Sequence, residues 1–177
     1  MSTEKQKILV AYFSHRGENY FNGKLVNLTV GNTELAAKLI AEETHGDLFE
    51  IKTVKKYPFV YQECTIEAQN ELRVGSRPAL AEGVDISGYD MIFLGYPNWW
   101  GTMPMPVWTF LEAYDFSSKI IFPFCTHEGS GMGKSERDLK EICPMTKVLK
   151  GLPIRGTEVK DAERTIKAWL KNNLEGL

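Results

Sequence analysis

The sequence predicts an α/β fold built on an open parallel sheet. Four short apolar runs recur along the 177 residues, at Ile8–Phe13, Leu48–Ile51, Met91–Tyr96 and Ile120–Cys125. Three of them are continuous rather than alternating, which is typical of parallel strands covered on both faces. Helical patterns lie between the runs, and this alternation of strand and helix favours a parallel sheet flanked by helices.

The first two helices follow the first two strands. Thr33 is a candidate N-cap for the pattern ELAAKLIAEETHG, and Gly46 is expected to end that helix. The segment YQECTIEAQNELRVG is a second, more polar helix candidate. Both patterns place apolar residues three or four positions apart, as one buried helix face requires.

Three helices and a fifth strand are predicted in the second half of the chain. MPVWTFLEAYD has apolar residues at helical spacing, and a helix over Ser135–Ile142 is expected to stop before Pro144. The last helix is predicted near Ala162–Asn173. A fifth strand is expected within KVLKGLPI, although glycine and polar residues weaken its pattern.

Composition indicates one domain over residues 1–177 and restricts the possible partners. A net charge of −2 and a pI near 6.0 give no support for nucleic acid or an anionic membrane as partner. The three cysteines lack metal-ligand spacing, so we expect free thiols and no metal site. The N-terminal apolar run is too short for a signal or membrane segment, and we expect a cytoplasmic protein.

The loops after the first, third and fourth predicted strands are expected to bind a ligand. Ligands of open parallel sheets bind at the carboxyl ends of the strands. The first loop combines Ser14–Arg16 with Gly31–Glu34, whose hydroxyls, amide and helix N-terminus suit a phosphate. The same hydroxyls could instead only cap the helix. Neither a GxxxxGK[ST] nor a GxGxxG pattern is present there.

An insertion separates the two halves of this first loop. It spans Glu18–Val30 and contains Asn22-Gly23 between apolar residues, which is a strong signal for a tight β-hairpin. The hairpin would let the two halves of the loop meet in space.

The second and third loops supply aromatic rings and flexible backbone. In Gly95–Pro106, Trp99 and Trp100 follow a buried strand, and we expect one ring to pack under a neighbouring helix while the other forms a stacking wall. The third loop, Cys125–Glu136, is rich in glycine, so that its backbone N–H groups can approach a ligand closely. A phosphate, a flat ring and a polar ring edge together describe FMN.

These stretches resemble the flavodoxin family. The resemblance is carried by KILVAYFSHRG, VGNTELAAKLIAEETHGDLFEI, YDMIFLGYPNWWGTMPMPVWTFLE and KIIFPFCTHEGSGMG. It implies a flavodoxin-like three-layer α/β/α sandwich with a five-stranded parallel sheet of order 2-1-3-4-5, and FMN as cofactor. The residues that it places at the cofactor are Ser14, Arg16, Asn32, Thr33, Pro97, Asn98, Trp99, Trp100, Gly101, Thr126, His127, Glu128, Gly129, Ser130 and Gly131.

Two redox functions follow from this resemblance. The first is a low-potential electron-transfer protein that exchanges electrons with redox partner proteins. The alternative is an FMN-dependent NAD(P)H:quinone-type oxidoreductase. A third, non-redox interpretation is a pocket for another phosphorylated aromatic ligand.

Four residue-level hypotheses accompany the resemblance. The hairpin would cover the phosphate and ribityl end of FMN, with Tyr20 or Phe21 shielding it from water. Arg16 would add a charge-assisted contact to the phosphate, unless it faces solvent. His127 would tune the flavin, and a backbone flip near Gly101 would act as a redox switch.

Overall fold

The computed structural model of the protein describes residues 6–175 and 177. The strands are β1 (Ile8–Tyr12), β2 (Gly17–Phe21), β3 (Lys24–Leu28), β4 (Asp47–Glu50), β5 (Met91–Pro97), β6 (Ile120–His127), β7 (Lys147–Val148) and β8 (Leu152–Arg155). The helices are α1 (Asn32–Thr44), α2 (Tyr61–Val74), α3 (Met105–Ala113), α4 (Ser135–Ile142) and α5 (Glu163–Leu174), and a 3-10 helix spans Gly156–Asp161.

The central sheet is parallel and has the order β4-β1-β5-β6-β7, with β8 also paired to β6. The hairpin strands β2 and β3 are counted in this numbering but lie outside the central sheet. When only the strands of the central sheet are counted, the order is the predicted 2-1-3-4-5. The predicted count of five strands is wrong, because the last strand is split into β7 and β8. Between them the Gly151 N–H donates to Glu136 Oε1 at 2.6 Å rather than to a neighbouring strand.

Helices cover both faces of this sheet, which makes the predicted three-layer sandwich. One core contains residues of α1 and α5, and the other contains residues of α3 and α4. Most residues of β1, β5 and β6 are buried, as their continuous apolar runs predict. Within the described residues, no helix is both long and apolar enough to span a membrane.

The predicted helices form, but both ends of α1 differ from the prediction. Gly31 rather than Thr33 is the N-cap residue, since the Thr33 hydroxyl contacts another loop. At the other end His45, not Gly46, adopts the left-handed conformation, with φ of 55°. Gly46 packs instead against Ile8, where a Cβ would lie 2.8 Å from the side chain.

The hairpin predicted from Asn22-Gly23 is confirmed. The strands β2 and β3 pair antiparallel, and Phe21 faces Lys24 across the two-residue turn. Asn22 and Gly23 have φ values of 51° and 80°, as a type I′ turn requires. The hairpin therefore brings Ser14 and Asn32 back to one end of the sheet.

Candidate functional site

A cavity of about 450 Å³ lies at the carboxyl ends of β1, β5 and β6. This volume falls within the usual range of small-molecule sites. Its lining includes residues of all three predicted loops. The lining residues are Ser14, His15, Asn19, Tyr20, Asn32, Thr33, Tyr61, Cys64, Thr65, Ala68, Pro97, Asn98, Trp99, Trp100, Thr126, His127, Glu128, Gly129 and Ser130.

Hydroxyl groups join the start of α1 to the first and third loops. Ser14 Oγ accepts the Glu34 backbone N–H at 3.1 Å, so Ser14 does cap the helix. This approach requires glycine at position 31, because a Cβ there would lie 2.1 Å from Ser14 Oγ. The Thr33 and Thr126 hydroxyls are buried and lie 2.7 Å apart. The α1 N-terminus thus presents neutral donors to the cavity, a suitable environment for an anion.

Arg16 lies outside the set of residues that line the cavity. Its guanidinium donates to Glu34 Oε2 at 2.9 Å and to Glu50 Oε2 at 3.3 Å, and its side chain is 49% exposed. Burial would raise the pKa of Glu34, but hydrogen bonds from Lys38 and Arg16 outweigh burial and lower it. The arginine therefore neutralises a carboxylate near the start of α1, and its contact with a phosphate stays a prediction.

The two tryptophans have different environments. Trp99 packs edge-on against Phe13 and Tyr57, with ring centroids 5.2 Å and 5.0 Å apart, and belongs to the periphery of one core. Trp100 is 50% exposed and donates its indole N–H to the Thr65 backbone carbonyl at 2.9 Å. Both rings line the cavity. Trp99 is therefore the inward-packing ring that the sequence predicted, although aromatic rings rather than a helix cover it.

The Trp100-Gly101 turn is held from both sides. Its residues have φ values of 56° and 83°. The Gly101 N–H donates to Asn98 Oδ1 at 2.9 Å, and the Gly101 carbonyl accepts the Lys134 N–H at 2.8 Å. A flip of either peptide at Gly101 would break one of these bonds. Gly101 and Gly131 do not line the cavity in the described structure; they support it through Asn98.

The third loop fixes the tautomer of His127. Its Nδ1 accepts the Gly129 N–H at 2.9 Å, so the neutral ring carries its proton on Nε2. Burial, and then the charge of Arg155, lower the pKa of His127. A neutral imidazole that donates from Nε2 is therefore the form favoured in the cavity.

One wall of the cavity contains residues that the sequence did not place at the ligand. It consists of Asn19 in β2 together with Tyr61, Cys64, Thr65 and Ala68 of α2, beside His15 of the predicted first loop. His15 donates from Nε2 to the Pro58 carbonyl at 3.0 Å, and burial lowers its pKa. Glu18 Oε2 accepts the Tyr61 N–H at 3.0 Å and so caps α2 from the hairpin. The sequence predicted the hairpin and the α2 helix separately, but it gave no signal that the two meet at the cavity.

Comparison with known proteins agrees with this geometry. The flavodoxin family model matches residues 7–173. The chain belongs to the flavodoxin family. Among curated proteins, none matches the sequence at a significant level.

Three solved structures show how closely the flavodoxin-like fold is kept. A candidate flavoprotein from Bacteroides eggerthii is 30% identical, with a TM-score of 0.77 and coverage of 94% of this chain and 97% of that one. Another from Bacteroides uniformis is 31% identical, with a TM-score of 0.75 and coverage of 95% and 99%. A flavoprotein from Lactobacillus acidophilus, solved in complex with FMN, is 21% identical, with a TM-score of 0.64 and coverage of 89% and 98%.

The cavity fits FMN, the cofactor that membership of the flavodoxin family supports. Ser14, Asn32 and Thr33 at the α1 N-terminus could hold the phosphate. Trp99 and Trp100 provide aromatic surface for the isoalloxazine ring. The donor types and the apolar wall thus match the two chemically different ends of one ligand.

Proposed function

We propose that this chain is an FMN-dependent electron carrier. The observation that supports it best is the apolar surface beside the cavity. Tyr20, Phe59, Val60, Ile66 and Trp100 are all exposed large hydrophobic residues. Tyr20 and Trp100 also line the cavity, so exposed apolar side chains reach the cofactor site. Exposed apolar patches of this kind are typical of protein interaction sites.

The packing of these residues keeps the surface in place. The Glu18 N–H donates to the Phe59 carbonyl at 3.0 Å, and the Tyr20 and Tyr61 rings lie 6.3 Å apart. A redox partner protein that docks against Trp100 would approach the cofactor through a short, ordered contact. When bound, FMN supplies the redox chemistry, while the chain's own residues orient it and exclude water.

The alternative is an oxidoreductase that takes hydride from NAD(P)H. The sequence carries no GxGxxG fingerprint for a nicotinamide dinucleotide. The cavity presents one cluster of hydrogen-bond donors that suits a phosphate, formed by Ser14, Asn32 and Thr33. These features favour the carrier.

Two measurements on the FMN-loaded protein distinguish the carrier from the reductase. In an anaerobic reductive titration, a carrier takes up its electrons in two separate one-electron steps. With NAD(P)H and a quinone as acceptor, a carrier shows negligible turnover. Sustained oxidation of NAD(P)H by the quinone, together with a single two-electron step, would replace the carrier with the oxidoreductase.

A further inference from the structure

A buried carboxylate of α4 contacts the turn that carries both tryptophans of the cavity. This tryptophan turn comprises residues 99–102, and its last residue is Thr102. The Thr102 hydroxyl donates to Asp138 Oδ2 at 2.5 Å. Thr102 is 0% exposed and Asp138 is 5% exposed, so water does not compete for this bond. A hydrogen bond to an ionised acceptor is stronger than one between neutral groups, and Asp138 therefore fixes Thr102 against α4.

The backbone of the turn couples Thr102 to the tryptophans. The Trp99 N–H donates to the Thr102 carbonyl at 3.0 Å, and the Thr102 N–H donates to the Trp99 carbonyl at 3.3 Å. These two bonds close the turn, with Trp100 and Gly101 at its tip. Because the turn is closed in this way, a displacement of Thr102 would move both indole rings, which line the cavity.

A second contact joins the tip of the turn to the start of the same helix. The N–H of Lys134, the N-cap residue of α4, donates to the Gly101 carbonyl at 2.8 Å. This approach requires glycine at position 133, because a Cβ there would lie 2.3 Å from the Gly101 carbonyl oxygen. The start of α4 therefore holds the tryptophan turn at two points, at the backbone of Gly101 and at the side chain of Thr102.

We propose that Asp138 is a positioning residue for the cofactor, which holds the tryptophan turn, through Thr102, in the orientation that receives the isoalloxazine ring. The inference rests on the proposed FMN site. Among the described residues that line the cavity, neither Asp138 nor Thr102 occurs. Asp138 therefore acts through the turn and not by contact with the cofactor. A ring site that is fixed in advance loses less conformational freedom when the ligand binds, which favours affinity.

Substitutions of the two partners test this assignment. Asp138→Ala and Thr102→Val each remove the hydrogen bond, whereas Asp138→Asn keeps an acceptor oxygen and Thr102→Ser keeps the hydroxyl. Glu136→Ala is the matched control. Glu136 lies in the same first turn of α4, and its carboxylate also accepts one hydrogen bond, from the Gly151 N–H at 2.6 Å. Loss of that bond should destabilise the protein without releasing the tryptophan turn.

The FMN dissociation constant, and the visible absorption and fluorescence of bound FMN, are measured for each protein. We expect Asp138→Ala and Thr102→Val to weaken FMN binding by roughly tenfold. The fluorescence of bound FMN should rise in both variants, because the indole rings no longer have a fixed position beside the isoalloxazine. Asp138→Asn and Thr102→Ser should resemble wild type. Glu136→Ala should unfold at a lower urea concentration but keep the wild-type FMN spectrum and fluorescence.

Three results would overturn the proposal. A change in Asp138→Asn as large as that in Asp138→Ala would assign the effect to the charge of Asp138 and not to its bond with Thr102. An equal spectral change in Glu136→Ala would assign it to a general loss of stability. Wild-type affinity and spectrum in Thr102→Val would show that the bond does not position the rings, and this variant alone decides the matter if Asp138→Ala does not fold.

Hydrogen exchange on the flavin-free protein separates failure of this proposal from failure of the FMN site. Without any flavin, exchange at the Thr102 and Lys134 amides should be faster in Thr102→Val than in wild type. A wild-type protein that binds no FMN would remove the FMN site, and with it the role of Asp138 toward the cofactor. A wild-type protein that binds FMN, with faster exchange but unchanged FMN binding in Thr102→Val, would remove only the role of Asp138.

Discussion

The Thr33 and Thr126 hydroxyls lie 2.7 Å apart and join the first turn of α1 to the end of β6. Both side chains are buried, at 1% and 4% exposure, so neither hydroxyl can readily exchange its partner for water. This contact holds the N-terminus of α1, whose hydrogen-bond donors suit a phosphate, against the polar loop that follows β6. The cavity is therefore assembled by side chains 93 positions apart in sequence.

Removal of one hydroxyl from this pair should destabilise the site. We expect Thr33→Val to lower the free energy of unfolding by about 1–3 kcal/mol, because the Thr126 hydroxyl stays buried without a partner. FMN affinity should fall as well. Urea denaturation and FMN titration measure the two effects, and Thr33→Ser, which keeps the hydroxyl, is the control. A valine variant as stable as the serine variant would show that the contact contributes nothing.

The Glu18 carboxylate should stabilise α2 and the cavity wall that it carries. Glu18→Ala is expected to cost about 0.5–2 kcal/mol, since the Tyr61 N–H at the helix start loses its acceptor. Glu63→Ala is the matched control because Glu63 is an exposed carboxylate of the same first turn. Hydrogen exchange at the start of α2 should increase only in Glu18→Ala. Equal exchange in both variants would argue against capping from the hairpin.

The hairpin should retard release of the cofactor through Tyr20. Tyr20 lines the cavity, whereas Leu25, its partner across the hairpin, is 55% exposed and lies outside the lining. We therefore expect Tyr20→Ala to release FMN several times faster, as measured by stopped-flow fluorescence, and Leu25→Ala to match wild type. Identical release rates for the two variants would leave the hairpin without the covering role that the sequence suggested.

His15 should make stability depend on pH. Burial lowers the pKa of His15 from 6.5, so the folded state favours the neutral ring. Below pH 6.5 the unfolded chain takes up a proton that the folded chain resists, and stability falls as the pH falls through the folded pKa. His127 contributes in the same direction.

Urea unfolding between pH 7.5 and 5 measures this dependence. His15→Gln, whose amide can still donate to the Pro58 carbonyl, should flatten the slope relative to wild type. A slope that is unchanged in this variant would exclude His15 as a source of the pH dependence.

Local patterns predicted much of the fold but only part of the site. The continuous apolar runs located β1, β5 and β6, and Asn22-Gly23 located the hairpin, because burial and turn geometry leave short-range signals. At the split between β7 and β8, Glu136 of α4 accepts the Gly151 N–H. A contact between two distant elements leaves no such signal.

The placement of Arg16 and of α2 illustrates the same limit. Arg16 follows β1 as a phosphate ligand would, yet two carboxylates from α1 and β4 bind it. The helix α2, which brings Cys64 and Thr65 to the cavity, is capped by Glu18 from 43 positions earlier. In both cases tertiary partners, and not the local residue pattern, decide which side chains reach the cavity.

The most direct test of the account is a titration of the flavin-free protein with FMN. We predict uptake of one FMN per chain, with flavin fluorescence quenched by the neighbouring tryptophans Trp99 and Trp100. Weakened uptake in Thr33→Val would connect the binding to the described cavity. A protein that binds no FMN when the cofactor is supplied in excess would contradict the central claim.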